Sequence, residues 1–271
     1  NINKWIYSEL LEANKKIEKN LKDYRFDEAA KNAYQFAWHS YCDWYLELSK
    51  TILFSDNEKA KAEVKKVSSY VFKQILILLH PFIPFVTEEI WLKNKFDKSG
   101  KNFLMLANWP IGSAKKDKNT KQVEKIIGII SELRSFKNEL NVGPGSFIEM
   151  SINNISKNQK SFIIDNEIIL KKLGRISNIH QNDVDRPAAT MMVSGDMFKI
   201  YFDKDVDLEL IKENLTNRQN KYQEEMNKIS QRLNNKGFVD RAPKDIVEQE
   251  KTNYNNLIND IKKISLTLES L

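Results

Sequence analysis

The chain has 271 residues, 41% hydrophobic and 30% charged, which is enough apolar side chain for one large domain or two modest ones with an extension. No run of about 18 apolar residues occurs, which excludes a membrane-spanning helix, and one cysteine, Cys42, excludes an internal disulfide and suits a reducing cytoplasm. Only 8 Gly and 6 Pro point to a mainly helical protein, and a net charge of +6 admits a polyanionic partner without requiring one.

Residue 1 is Asn, and Ile2, Trp5 and Ile6 already keep helical spacing with no basic leader before them, so the chain reads as part of something longer. Ile2, Trp5, Ile6, Leu10, Ala13, Ile17 and Leu21 form one apolar stripe of period near 3.6, a first helix over about 2–22. Asp27 is expected to cap a second helix, rich in aromatics, that runs to Lys50. A third covers about 57–79, with Val64, Val71, Ile75 and Leu78 on one face. Pro81 must end it, and Pro84 suits the first turn of a fourth helix over about 84–93. Phe82, Ile83, Phe85, Val86, Ile90 and Trp91 make the stretch between look like a sharp, buried corner. "NFLMLANWP" reads as extended, and a fifth helix spans about 121–140.

After "NVGPGS" the period changes. "FIEMSIN" alternates like a strand, "NQKSFIIDNEIILKKLGRI" reads as one helix, and "AATMMVSG" and "MFKIYFD" read as two strands around a turn at Gly195. From Leu208 the spacing is heptad: Leu208, Leu215, Tyr222 and Ile229, with Met226 and Leu233 beside them. It breaks at "NNKGFVDRAPKD" and resumes with Val247, Tyr254, Ile261 and Leu268. Two such helices make an antiparallel coiled-coil hairpin, with Gly237 expected to take a positive φ at its tip and Pro243 to start the return. The fold class is therefore mainly α, divided into a helical bundle (1–141), a small α/β subdomain (142–207) and the hairpin arm (208–271).

"LLHPFIPFVTEEIW" (78–91) resembles the helical anticodon-binding domain of class I aminoacyl-tRNA synthetases of the branched-chain group. "RFDEAAKNAYQFAWHSYCDWYLELSK" (25–50) and "NNKGFVDRAPKDIVEQEK" (234–251) narrow the resemblance to the valyl-tRNA synthetase family, the second at the tip and return helix of its coiled-coil arm. The resemblance implies an anticodon-binding domain and a tRNA-binding arm of a ligase that attaches valine to its tRNA with ATP and Mg. No His-Ile-Gly-His-like or Lys-Met-Ser-Lys-Ser-like string occurs, so the implied catalytic and editing work belongs to an N-terminal part, this portion should be inactive alone, and no cofactor is expected within it. The implied partners are valine-specific tRNA and that N-terminal catalytic domain, in a cytoplasmic and monomeric enzyme without a membrane.

His39, Cys42 and Asp43 fall short of the four ligands a zinc site needs, His180 falls in a polar loop, and Gly143-Pro144-Gly145 is no phosphate loop. Cations are the serious candidates, because phosphates are held by charge without base reading. In the bundle these are Lys15, Lys19, Lys22 and Arg25, a stripe on the polar face of the first helix, with Lys16 beside it and Arg134 and Lys137 on the fifth helix. On the arm they are Arg218, Lys221, Arg232 and Arg241, outside the apolar seam; guanidinium can both pair and stack. Phe36, Trp38 and Trp44 are candidate base-stackers. The same charges also suit solvated helix faces, and a coiled-coil hairpin also suits a protein that mediates assembly, so from residues alone both readings stand.

Overall fold

The computed structural model describes residues 2–97, 103–110, 112, 118–186, 188–193, 195–202, 206–235, 237 and 242–271. The chain divides into two compact units, Asn1–Gly128 and Ile129–Leu271.

The first unit opens with α1 (Ile2–Lys22), whose apolar stripe buries Ile2, Trp5, Ile6, Leu10, Leu11 and Ile17. It ends at left-handed Tyr24 (φ 57°), where the Arg25 N–H reaches back to the Asn20 carbonyl at 2.8 Å. Next come α2 (Phe26–Gln35), a π-helical run (Phe36–Tyr45) and α3 (Leu46–Leu53). The aromatic stretch is thus not one α-helix. In the π run the Leu46 N–H reaches back five residues to the Tyr41 carbonyl, and the buried rings are Phe36, Tyr41, Trp44 and Tyr45. Phe36 and Tyr41 are five apart, which an α-helix places on different faces; the wider turn lets these bulky rings share the core. Asp27 does not cap α2: the cap position is Arg25, and Asp27 and Glu28 sit in the first turn, where they oppose the positive helix end. The Tyr45 hydroxyl donates to Asn3 Oδ1 at 2.8 Å, and burial pushes its pKa up to about 12.

Asn57 caps α4 (Glu58–Leu79), which buries Val64, Val71, Ile75 and Leu78. α5 (Pro84–Lys93) begins with the proline. His80 is satisfied at the corner by Thr87 Oγ1, 2.8 Å away. The corner itself is not buried. Trp91 is core, but Ile83, Phe85 and Val86 lie open, Phe85 at 90%. The stretch expected to be extended is a 3₁₀ turn (Leu104–Leu106) with extended flanks, held against α5 by the Leu104 N–H, which donates to both Glu88 oxygens at 3.1 and 3.0 Å. α6 (Lys118–Glu139) carries the unit boundary.

In the second unit four strands form one mixed sheet in the order β2-β1-β4-β3: β1 (Ile148–Ser151), β2 (Ile176–His180), β3 (Ala189–Val193) and β4 (Asp196–Phe202). β1 pairs parallel with β2 and antiparallel with β4, and β3–β4 is a hairpin turned at Gly195 (φ 88°). β2 was not expected; His180 ends that strand rather than lying in a loop. The predicted single helix between β1 and β2 is two, α7 (Lys157–Asp165) and α8 (Glu167–Gly174), broken where Asn166 turns its side chain back to the Phe162 carbonyl at 2.8 Å.

α9 (Leu208–Asn234) and α10 (Lys244–Ser270) are the hairpin. At about 1.5 Å per residue each arm is roughly 40 Å long. Its root buries Ile211, Leu215, Ile264 and Thr267, and the Ala188 N–H donates to the Ser270 carbonyl at 3.0 Å, so the root also packs on the strand layer and not solely on itself. α9 ends through extended Asn235 (φ −81°, ψ 103°). Gly237 does not take the positive φ expected of it, whereas Pro243 does sit at the cap position of the return helix; residues 238–241, within the expected tip, lie outside the described residues.

Candidate nucleic-acid interface

Lys15, Lys16 and Lys19 stand exposed on α1 and form no ion pair among the described residues. Lys22 pairs with Glu18 at 2.8 Å and Arg25 with Glu28 at 3.8 Å, both at the surface, with Lys22 73% and Arg25 62% exposed along the side chain. Exposed pairs of this kind are weak, so an incoming phosphate can take either cation. Arg25 is flanked in the chain by two open rings, Tyr24 and Phe26, which meet edge to face at 6.2 Å. Two turns further on, Tyr34 and Trp38 stack at 6.3 Å with planes 4° apart, both more than half exposed. Rings presented this way can stack on unpaired bases. Of the three candidate stackers only Trp38 is open; Phe36 and Trp44 are core, because the π run turns them inward. Tyr24, Phe26 and Tyr34 were missed, although the triplet Tyr24-Arg25-Phe26 at the end of a lysine stripe was there to be read.

On α6, Arg134 is exposed and its guanidinium donates to the Leu173 carbonyl at 3.4 Å. Lys137 leaves the candidate set. It is buried, it donates to the Ser146 carbonyl, and burial, then the charges of Arg175 and Arg134, pull its pKa below the ordinary lysine value. An ammonium held inside by a backbone carbonyl cannot reach a phosphate. The cation that stands outward nearby is Arg175, left-handed at φ 54°, with its guanidinium 5.6 Å from the Phe147 ring; sequence reading missed it.

On the arm, Lys221 is exposed and unpaired among the described residues. Arg218 is half-buried at the root, lining a pocket of about 120 Å³ with Met191, Met192 and Ile264. Arg232 bridges the hairpin to Glu250 at 3.1 Å, and Arg241 lies outside the described residues. Arg218, Lys221, Lys228 and Arg232 recur at spacings of 3, 7 and 4, one edge of α9.

No group of His, Cys, Asp and Glu among the described residues could hold a metal ion. Burial, then Asp43, raises the Cys42 thiol's pKa, and His39 pairs with Asp43 at 3.5 Å. The sheet carries a charged network instead. Glu149 on β1 bonds His180 on β2 and pairs with Arg186 at 2.7 Å, and Asp183 bonds Ser151 and Lys199 at 2.7 Å each. No helix among the described residues is long and apolar enough to cross a membrane.

This is cationic, aromatic surface on a helical scaffold, and sequence comparison defines its class. Residues 3–152 match the family described as the anticodon-binding domain of tRNA ligase. The chain belongs to that family. Residues 207–271 match the valyl-tRNA synthetase tRNA-binding arm. Over 271 residues, all of this chain, it is 76% identical to the valine–tRNA ligase of Pelagibacter ubique, covering 31% of that protein. The Bartonella quintana valine–tRNA ligase is 34% identical over 272 residues, again all of this chain and 30% of the relative. The two matches put the chain among the valyl-tRNA synthetases, of which it carries the anticodon-binding domain and the tRNA-binding arm. It spans about a third of the length of the curated relatives it matches.

Proposed function

We propose that this chain holds valine-specific tRNA for a cytoplasmic, monomeric valine–tRNA ligase. An N-terminal catalytic part would attach valine with ATP and Mg, and this chain alone would be inactive. Residues 1–141 would hold the anticodon stem-loop, 142–207 would position the arm, and 208–271 would rest on the outer corner of the tRNA. Binding energy is then used to hold the acceptor end in register with a distant active site. Lys15, Lys19, Lys22, Arg25 and Arg134 would contact phosphates in the first region, with Arg175 of 142–207 as a further cation; Arg218, Lys221, Arg232 and Arg241 would do so on the arm.

The observation that carries this reading is the α1 ladder. Three cations on one exposed helix face, Lys15, Lys19 and Lys22, lead to a tip where Arg25 is flanked in the chain by two open rings. Charge there supplies affinity, and the rings supply stacking for unpaired bases, the combination that single-stranded loops are held by.

The test is salt dependence. Each phosphate contact removed should flatten the plot of log affinity against log salt by roughly 0.7 to 0.9. A variant with Lys15, Lys19, Lys22 and Arg25 all changed to alanine should lose about 3 from the slope for tRNA. An unchanged slope removes the α1 face from the interface.

A further inference from the structure

Apolar residues that read as core in the sequence lie open in the first unit. At the start of α5 and just before it, Ile83 is 45% exposed, Phe85 90% and Val86 51%; Leu92 near its end is 45% exposed. Beside them Phe103, Met105 and Leu106 are 57%, 72% and 66% exposed. The two groups form one surface, because Glu88 on α5 accepts the Leu104 N–H and pins the turn to the helix. A face of seven large apolar side chains exceeds what a monomer ordinarily shows to water.

The face continues into a groove of about 550 Å³ bounded by Phe103, Leu106, Trp91 and Trp109. The indole nitrogens of Trp91 and Trp109 are buried, and neither has an acceptor among the described residues. Both nitrogens are fully enclosed and offer an incoming chain no hydrogen bond; what the groove offers is ring surface. An apolar face that runs into an open, ring-lined groove is what a packed protein surface would fill.

We propose that this face of α5 and the 103–106 turn is the docking surface for the catalytic remainder of the ligase chain. The inference rests on the function proposed above and adds to it the place of attachment. The relatives are about three times as long as this chain, which covers 31% of one and 30% of another. A tether alone leaves two domains free to reorient. Holding a tRNA across both requires a fixed contact, and a desolvated apolar centre with a polar rim provides one. Glu89 and Lys93, paired at 3.0 Å, supply part of that rim. RNA is the wrong occupant: Glu89 and Lys93 cancel one another, Lys73 is the one cation lining the groove among the described residues, and an apolar face without a cation ladder gives a phosphate backbone little to pair with.

Hydroxyl-radical footprinting of the full-length ligase, read by mass spectrometry, tests this with controls inside the same molecule. Phe54, 78% exposed, and Trp38, 57% exposed, are the open references. Phe85 and Met105 should be oxidised roughly tenfold more slowly than these references, as for side chains at an interface centre. Equal rates overturn the proposal. Protection that appears only as protein concentration rises assigns the face to a second copy, and protection that appears only with tRNA assigns it to RNA; each also overturns it. A double variant, Phe85→Ser with Met105→Ser, should cut aminoacylation while leaving the Kd for tRNA unchanged; loss of tRNA affinity instead overturns it. If the unmodified ligase binds no tRNA yet shields Phe85 and Met105, the tRNA-holding reading fails and the docking surface stands.

Discussion

The helical unit and the hairpin bury their apolar residues in different ways, and the difference decides how their charges can be read. In the first unit Ile6, Leu10, Ile17 and Tyr45 are at 0% exposure, closed in by several helices. In the hairpin, Ile229 and Val247 are buried, but Tyr222, Met226, Tyr254, Leu257 and Ile261 stay half-buried, because two helices shield a side chain from fewer directions than a bundle does. The bundle therefore stands on its core, and Lys15 and Lys19 carry no structural duty. The hairpin leans on contacts that bridge its seam: Gln219 Nε2 donates to Ser265 Oγ at 2.8 Å, and Arg232 pairs with Glu250 at 3.1 Å. Removing Arg232 would disturb both the rod and any RNA contact, so a variant there needs Glu250→Gln as its partner control. A lysine on α1 needs none.

The largest effect that tests this contrast is in the core. Trp91, 4% exposed, packs with Leu76, Ile77 and Leu104. Trp91→Ala should lower the stability of the first unit by about 3–5 kcal/mol in denaturant titration. Tyr254→Ala, at a half-open seam position, should cost only about 1 kcal/mol. Equal costs would mean that the seam is as well shielded as the bundle, and the contrast would break.

An intermediate effect belongs to the sheet of the second unit. The His180 hydrogen bond, opposed by some desolvation and aided by Arg186, holds the Glu149 carboxyl below its ordinary 4.5, and Lys199 does the same for Asp183 below 3.8. A carboxylate depressed on folding contributes stability that is present above its unfolded pKa and lost as pH falls through the folded one. Unfolding free energy of the second unit should thus be level above about pH 5 and fall below it. Glu149→Gln should reduce stability at pH 7 by about 1–2 kcal/mol, a charged hydrogen bond discounted for partial exposure, and flatten the acid limb. Lys15→Ala should leave that limb unchanged. An acid limb as steep in Glu149→Gln as in the parent would remove the network from the stability of the sheet.

Much of the scaffold was legible because strong local signals and tertiary demand agree. The stripe of α1, the two prolines around the corner and the heptads of the hairpin each mark an element whose packing follows the same period. The π run was not legible: in a stretch so dense with rings, spacings of four and five are both filled, and only packing selects between them. β2 escaped because it is a short edge strand with Ser177 and Asn178 facing water. The corner misled for a different reason. Apolar sequence says that a surface should be covered, and does not say by which part of a protein. At the candidate interface the cations could be counted in advance, but not sorted. Lys137 is set apart from Arg134 by the Ser146 carbonyl, brought over it by the turn that follows α6.

The smallest effect sharpens the comparison at the helix ends. α1 and α5 finish on left-handed residues with side chains, Tyr24 at φ 57° and Lys95 at φ 53°. Phe96 N–H reaches the Trp91 carbonyl at 3.4 Å across the second of them. A Cβ there costs about 1 kcal/mol, which glycine avoids, partly offset by the wider freedom glycine gives the unfolded chain. The hairpin helix α9 has no such stored cost, since Asn235 leaves it in an extended conformation. Lys95→Gly should therefore raise the stability of the first unit by about 0.5 kcal/mol, whereas Asn235→Gly should give no gain. Tyr24→Gly separates structure from recognition at an equivalent backbone position. It should stabilise the fold as Lys95→Gly does, yet weaken tRNA binding, because an open ring beside Arg25 is lost; stacking on a base is worth about 1–3 kcal/mol. Thermal unfolding and tRNA titration of the three variants read this directly. If Tyr24→Gly binds tRNA as well as Lys95→Gly does, the ring at the tip of the α1 ladder does not touch a base.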